Sequence, residues 1–185
     1  KIIGLRNASN LGSILGKIFG PLFRSKKIVQ QNIKTAFGEM EKEKETEIIN
    51  SMWSNIGRTF AEYVYLKDFK FNKINPNHMK INGTEHLDLI KKSNEPVIFY
   101  SAHFANFELM AMELDKFGIK CAAIYRPLNN FFLNPIMEYF RMKYICPNQI
   151  RKGRLGMREI ISKVKDGYSI ALMVDQRVSE GPRAP

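Results

Sequence analysis

From residue 96 onward, short apolar runs alternate with longer segments that have the spacing of amphipathic helices. The apolar runs read VIFYSA, IKCAAIY and SIALMVD, and helical segments of about ten residues lie between them. This alternation predicts an α/β fold with a largely parallel β-sheet flanked by helices. In such sheets the strands end at a common edge, where binding sites usually form.

Three polar residues fall at or just past the ends of these predicted strands. They are His103, Arg126 and Asp175, each following a different apolar run. Because the carboxyl ends of parallel strands share one edge, we expect these side chains to converge there. For Arg126, an ordinary salt bridge at a strand end remains an alternative to a role in a site.

The segment SAHFANFELM places His103 and Glu108 five positions apart. On one regular helix that offset separates two side chains by about 140°. A sharp corner between the strand and the next helix would instead let the two side chains meet. A Glu in the first turn of a helix is stabilised as an anion, and beside an imidazole it fixes the tautomer and raises the basicity. The pair is therefore a candidate general base that removes a proton from a hydroxyl.

The spacing of His103 and Glu108 also permits a plainer interpretation. His103 could be a strand-end histidine that hydrogen-bonds to backbone, and Glu108 a solvated residue near a helix start. A metal site is not indicated, because His78, His86 and His103 lack the i,i+4 spacing of a zinc-binding helix.

Residues 1–27 form an apolar, glycine-containing segment with basic residues spread through it. Gly12, Gly16 and Gly20 recur every four residues, a spacing that permits close contact between helices. The segment has no uncharged apolar run of about 18 residues, so we expect a helix lying in a membrane interface rather than a membrane span. An ordinary amphipathic helix that covers the domain is the alternative. Residues 28–185 are then expected to form the main domain.

Further elements follow from local patterns. Residues 40–66 predict one long helix, and a short strand is expected around residues 79–81. Side chains at Thr84, Asn106 and Asn134 are predicted to cap the helices that follow them.

The chain is strongly basic. Lys and Arg number 29 against 18 Asp and Glu, which gives a net charge of +11 and favours an anionic partner. Nucleic acid is not favoured, because the basic stretch KYICPNQIRKGR lacks interleaved aromatic residues for base stacking. Cys121 and Cys146 form no CxxC motif, which is consistent with a reducing compartment.

Several blocks along the chain resemble the bacterial lipid A biosynthesis acyltransferases, the late lauroyl and myristoyl acyltransferases of the lysophospholipid acyltransferase-like superfamily. SAHFANFELM resembles the family's His-x4-Glu block, and the other matching blocks occur in the family's order: QNIKTAF, MWSNIGRTFAEY, NGTEHLD, IYRPLNN, RKG and MVDQRVSEGP. Two departures are evident. Ala105 stands where the family usually has Gly, and the chain ends before an aromatic-Gly segment, so the carboxyl-terminal part of the fold is expected to be missing.

The resemblance implies transfer of an acyl chain from an acyl carrier protein thioester to a hydroxyl of a lipid A precursor. His103 would be the general base and Glu108 its orienting partner. No bound cofactor or metal is implied. Residues expected to stabilise the oxyanion or hold the acceptor are Phe104, Asn106, Tyr125, Arg126, Asn129, Asp175 and Gln176. Residues expected to contact phosphate or the carrier protein are Arg151, Lys152, Gly153 and Arg154.

The same resemblance implies a place at the cytoplasmic face of the bacterial inner membrane, on an anionic lipid surface. Two alternatives remain open from the residues themselves: a glycerolipid acyltransferase that uses the same His and Glu, and a non-catalytic basic domain that binds membranes. Apolar residues near the site could wall an acyl groove or belong to the core; these are Leu109, Met110, Met112, Phe131, Phe132, Met137, Phe140 and Met142.

Overall fold

The first helix packs on the third through a seam of small residues. The computed structural model describes residues 3–74 and 79–175, and the chain divides into two compact units, Lys1–Leu66 and Lys67–Pro185. In the first unit a Cβ added at Gly12 would lie 2.4 Å from the carbonyl oxygen of Gly57, and one added at Gly16 would lie 2.3 Å from that of Trp53. The close helix contact predicted from the glycine spacing is therefore confirmed.

The first unit is helical throughout its regular elements. Ser9 Oγ donates a hydrogen bond of 2.8 Å to Glu62 Oε1, so the seam is polar as well as small. The elements are α1 (Gly4–Phe23), α2 (Lys26–Phe37), α3 (Lys42–Glu62) and a 3-10 turn (Tyr63–Tyr65).

The outward face of α1 is apolar. Because the small residues face α3, the large ones are left exposed at helical spacing, from 44% exposed at Leu15 to 83% at Phe23. The exposed apolar residues of α1 are Leu11, Ile14, Leu15, Ile18, Phe19, Leu22 and Phe23. This arrangement is the reverse of an ordinary surface helix, whose apolar stripe faces the protein.

The second unit is built on a four-stranded sheet in the order β1-β4-β2-β3, in which every neighbouring pair is parallel. The α/β fold with a parallel sheet and flanking helices is thus confirmed. The elements are α4 (Leu66–Lys70), α5 (Thr84–Ser93), β1 (Ile98–Ser101), α6 (Glu108–Lys116), β2 (Cys121–Tyr125), α7 (Leu133–Phe140), a π-helical turn (Arg141–Ile145), β3 (Asn148–Arg151), α8 (Arg154–Lys165) and β4 (Ser169–Met173).

The centre of the sheet supplies the core of this unit. Ala122, Ile150 and Ile170, one from each of three adjacent strands, are almost fully buried together. Cys121 and Cys146 are both buried and free, and Cys146 Sγ donates a hydrogen bond of 3.2 Å to the Cys121 carbonyl oxygen. The two inner strands, β2 and β4, each begin with buried residues, which explains why their sequences are mostly apolar.

Some local predictions were wrong. Residues 79–81 form no strand, and the long helix predicted for residues 40–66 ends at Glu62, where the backbone tightens into a 3-10 turn. Strand β3 was not anticipated, because NQIR is short and mostly polar. The boundary predicted between residues 27 and 28 stays a prediction.

The predicted helix caps also differ. Gly83, with φ +81°, precedes α5, so Thr84 is its first residue rather than its cap. Asn134 Oδ1 accepts the Leu128 N–H at 2.7 Å, while Asn130 Oδ1 accepts the N–H groups of Phe132 and Leu133. Helix α6 begins at Glu108 without a side-chain cap bond from the residue before it, Phe107. Asn130 and Asn134 thus stabilise the loop before α7 and its first turn, because their short amide side chains reach nearby backbone N–H groups.

Candidate active site

All four strands end at one edge of the sheet, and polar side chains gather there. Ser101 of β1 is paired with Met173 of β4. His103 and Asp175 lie two residues beyond that pair, next to each other at the ends of the two strands. The convergence of these two residues, expected from the strand ends, is therefore explained by the parallel register.

Asp175 holds His103 at two points. The backbone N–H of His103 donates to Asp175 Oδ2 at 2.9 Å, and His103 Nδ1 lies 2.8 Å from Asp175 Oδ1. An ionised carboxylate can only accept hydrogen bonds, so Nδ1 must carry the hydrogen. In the neutral ring, Nε2 is then the nitrogen that can take up a proton.

The electrostatics agree with an ionised Asp175. Partial burial acts to raise the pKa of this carboxyl group, but the hydrogen bonds from the backbone and ring of His103 outweigh it and leave the pKa lowered. Both side chains reach solvent, with 29% of His103 and 36% of Asp175 exposed. The pair is thus fixed in geometry and accessible to a substrate.

The turn after His103 bends sharply. Ala105 has φ +42°, in the left-handed region, and the Phe104 N–H donates to the Ala102 carbonyl oxygen at 2.8 Å. This turn brings the Phe107 ring edge-on to His103, with 4.5 Å between ring centroids. Glycine adopts this backbone conformation at little cost, whereas the Cβ of Ala105 makes it strained.

Glu108 is buried in the first turn of α6 and is ion-paired with Arg141. Arg141 Nε lies 3.0 Å from Oε1 and 3.2 Å from Oε2, and Nη2 lies 2.5 Å from Oε1. Only 6% of the Glu108 side chain and 14% of the Arg141 side chain are exposed. The structure thus joins Glu108 to Arg141 and His103 to Asp175, and the direct pairing of His103 with Glu108 stays a prediction.

A second charged cluster lies at the ends of β2 and β3. Tyr125 donates its hydroxyl hydrogen to Glu138 Oε1 at 2.5 Å, and Arg151 donates both to Tyr125 and to Glu138. The hydrogen bond from Tyr125 is the main cause of a lowered pKa at Glu138. The Arg141 guanidinium carbon lies 5.9 Å from the centre of the Tyr125 ring, a distance at which a cation is attracted to the ring.

Sequence reasoning missed Arg141 and Glu138. The signal available was two opposite charges three residues apart within IMEYFRMKYI, a segment in which Lys143 is the one other charged residue. The π-helical turn that starts at Arg141 could not be read from periodicity, and such turns often occur at functional sites.

The other predicted site residues occupy varied positions. Phe104 is 79% exposed, Arg126 and Asn129 are exposed, and Asn106 is half-buried. Three of the predicted residues lie around the start of α8. The Lys152 N–H donates to the Tyr125 carbonyl oxygen, Gly153 has φ +129°, and Arg154 is exposed. Gln176 lies outside the described residues.

The apolar residues near the site divide between core and surface. Met112 is completely buried, whereas Phe131, Phe132 and Met142 are 82%, 81% and 53% exposed. Met112 therefore belongs to the core rather than to the wall of an open groove. Within residues 3–74 and 79–175, no cluster of three or more His, Cys, Asp or Glu side chains could hold a metal ion.

A comparison with known protein families identifies the family to which this chain belongs. The model of the bacterial lipid A biosynthesis acyltransferase family matches residues 1–182. The chain belongs to this family. The resemblance seen in the sequence is thereby confirmed, and the chain is an acyltransferase of bacterial lipid A biosynthesis, acting on a lipid A precursor. A search of curated proteins found no match.

Membership of a lipid A biosynthesis family indicates a membrane-associated bacterial protein. Across the part of the chain that the structure describes, no helix has both the length and the hydropathy required to span a bilayer.

Proposed function

We propose that the chain transfers a fatty acyl group from an acyl carrier protein thioester to a hydroxyl of the lipid A precursor, with His103 as general base. The observation that supports this most directly is the hydrogen bond between Asp175 Oδ1 and His103 Nδ1 at the carboxyl edge of the sheet. A histidine with a fixed tautomer, partly open to solvent, suits proton removal from a hydroxyl.

The reaction proceeds without an enzyme nucleophile. His103 Nε2 takes the proton of the acceptor hydroxyl while the oxygen attacks the thioester carbonyl carbon. The tetrahedral intermediate then collapses, the carbon–sulfur bond breaks, and the carrier thiolate leaves with the proton returned by the imidazolium. The products are an ester on the acceptor and the free carrier thiol, so atoms and charges balance.

The remaining predicted site residues have assigned roles in this proposal. Glu108 is the second carboxylate of the site, kept in place by Arg141. Arg126, exposed directly after β2, is the proposed donor to the developing oxyanion. Residues assigned to the acceptor are Phe104, Asn106, Tyr125, Asn129 and Gln176.

Phosphate and the acidic carrier protein are proposed to meet the basic residues around the start of α8. Arg154 and Lys152 are exposed there. Arg151 is already bonded to Glu138, so a phosphate would have to compete with that carboxylate for it. The carrier protein is the proposed acyl donor because the net charge of +11 favours an acidic partner.

We also propose that α1 lies in the interface of the inner membrane at its cytoplasmic face. Its apolar face points away from α3, and basic residues flank that face at Arg6, Lys17 and Arg24, all exposed. Apolar burial together with attraction to anionic lipid is the known basis of such binding.

The test is an acyl transfer assay with full-length protein, acyl carrier protein thioesters and a lipid A precursor. His103→Ala is expected to lower the rate on the order of 10²-fold or more, the usual size of a general-base contribution. The matched control is His86→Ala, an exposed histidine, which should leave the rate unchanged. A loss of less than a few-fold for His103→Ala would remove this residue from the mechanism, and transfer to glycerol phosphate instead would favour the glycerolipid alternative.

A further inference from the structure

The segment that leads into α7 exposes four large apolar side chains. Phe131 and Phe132 are 82% and 81% exposed, and Leu133 and Ile136, in the first turn of the helix, are 53% and 55% exposed. The centroids of the two Phe rings are 5.8 Å apart, and residues three apart on a helix are neighbours. The four side chains therefore form one surface, which we call the α7 patch. Single exposed apolar residues are ordinary, but a contiguous patch usually marks a contact.

The α7 patch is presented by an ordered turn. Asn130 Oδ1 accepts the N–H groups of Phe132 and Leu133, each at 3.0 Å, and the Asn134 N–H donates to the Asn130 carbonyl oxygen at 3.0 Å. Because the backbone that carries the two rings is hydrogen-bonded, their exposure is a property of the fold rather than of an unstructured loop.

The helix that carries the α7 patch is tied to the active-site edge of the sheet. Glu138 of α7 accepts hydrogen bonds from Tyr125 at the end of β2 and from Arg151 at the end of β3. Phe131 follows the end of β2 after one short loop. Since all strands of this sheet are parallel, the patch lies at the same edge as His103.

The character of the exposed side chains changes along the helix. Tyr139, one turn beyond Ile136, is 54% exposed, and the Lys143 ammonium donates to its hydroxyl oxygen at 2.5 Å. Tyrosine and lysine each have an apolar body and a polar end, which suits them to the boundary between hydrocarbon and water. Glu138 is the one charged residue of α7 and is already hydrogen-bonded within the fold. The surface is thus purely apolar at the start of the helix and amphipathic at its end.

We propose that the α7 patch enters the lipid bilayer at the active-site edge, with Tyr139 and Lys143 at the boundary with water. A patch without charge gives an acidic carrier protein nothing to pair with, whereas hydrocarbon requires no such partner. Lys143, at the polar end, suits an anionic headgroup.

The acceptor of this family supports a bilayer at this position. It is a lipid A precursor, whose acyl chains lie in a membrane. Contact between the α7 patch and the bilayer lets the acceptor hydroxyl reach His103 while the chains of the lipid stay in hydrocarbon. The inference goes beyond the membrane contact proposed for α1, and it rests on the proposed function only for the role of His103.

Fluorescence quenching in vesicles tests the contact directly. Full-length protein carries an environment-sensitive fluorophore on Phe132→Cys, and the label is selective over Cys121 and Cys146 because both are buried. On vesicles of phosphatidylethanolamine and phosphatidylglycerol, its emission is expected to move to shorter wavelength. Lipids with a nitroxide on the acyl chain should quench it more strongly than lipids with a nitroxide on the headgroup. The same label on Lys143→Cys should show the reverse preference.

Asp166→Cys is the control for the label. Asp166 is exposed and lies before β4, at the opposite edge of the sheet. Its fluorophore should therefore respond to neither kind of nitroxide lipid.

An activity measurement separates membrane contact from acyl binding. Replacing both rings, in Phe131→Ser with Phe132→Ser, is expected to lower the transfer rate at least about tenfold with the precursor in vesicles, since burial of one large apolar side chain is worth about tenfold or more in affinity. With the precursor dispersed in detergent, the rate should stay within about twofold of wild type. Leu89→Ser, at a residue of α5 that is 62% exposed, is the matched control and should leave both rates unchanged.

Three results would overturn the proposal. One is a label on Phe132→Cys that vesicles neither shift nor quench. Another is an equal loss of rate in vesicles and in detergent with the fold intact by circular dichroism, which would assign the rings to an acyl groove. A third is a raised KM for the carrier protein in detergent, which would make the patch its docking surface.

The label also keeps the test independent of the variants. If the double variant does not fold, the label on Phe132→Cys decides alone. Full activity of His103→Ala would refute the general base without moving that label, so the two proposals fail separately.

Discussion

Glu108 and Arg141 form a buried ion pair that joins the first turn of α6 to the π-helical turn after α7. Thirty-three positions of sequence separate the two residues. The guanidinium uses two of its nitrogens on the carboxylate and also lies over the Tyr125 ring. This pair therefore links the loop that carries His103 to the charged cluster at the ends of β2 and β3.

Replacing Arg141 by Ala is expected to lower the free energy of unfolding by about 3 kcal/mol, because Glu108 would stay buried without this cation. Urea denaturation gives the value. Adding Glu108→Gln to Arg141→Ala should recover part of the loss. Arg154→Ala, at an exposed arginine, is the control and should change stability by less than about 0.5 kcal/mol. Equal stabilities for the two arginine variants would contradict a structural role for the pair.

Ala105→Gly is expected to raise the free energy of unfolding by about 0.5–1 kcal/mol. Ala105 has φ +42°, a conformation that costs an L residue with a Cβ but costs glycine little. Thermal unfolding at one pH measures the difference. Ala102→Gly, in the same loop at a residue without positive φ, should be neutral or destabilising. A loss of stability at Ala105→Gly would show that this turn is not strained.

Ile18→Asp should weaken binding to anionic vesicles by at least about tenfold. Ile18 is 59% exposed on the apolar face of α1, and burying an Ile side chain contributes about 1.5–3 kcal/mol. Vesicle sedimentation measures the affinity. Asn10→Asp adds the same charge on the side of α1 that contacts α3, where Asn10 Oδ1 accepts a hydrogen bond from Arg58 at 2.8 Å, and should bind nearly as wild type. If both variants bind equally well, the apolar face does not enter the membrane.

The stabilising effect of Asp175 should disappear in acid. The folded protein lowers the pKa of this carboxyl group, so its contribution is fully present above the unfolded pKa, near about 4, and is lost as the pH falls through the folded pKa. The difference in unfolding free energy between wild type and Asp175→Asn should shrink as the pH falls below about 4. Asp166→Asn should show no such trend. A difference that keeps growing below about pH 4 would contradict the ionised Asp175.

Local sequence patterns were sufficient for the architecture and for the edge of the sheet where the site lies. The apolar runs identified β1, β2 and β4, and the strand ends placed His103 and Asp175 together, because parallel strands end at one edge. The convergence of Arg126 with these two residues stays a prediction. The glycine spacing identified the face of α1 that packs on α3. Strand β3 was missed, since its four residues carry no apolar run.

The sequence by itself determined which residue types stand at the strand ends and which face of α1 is small, because these follow from the period of each element. Only the tertiary structure decided the partners: Asp175 for His103, Arg141 for Glu108, and Glu138 for both Tyr125 and Arg151. Those choices depend on strand register and on where helices end. Both are settled by packing between distant parts of the chain, which no local spacing records.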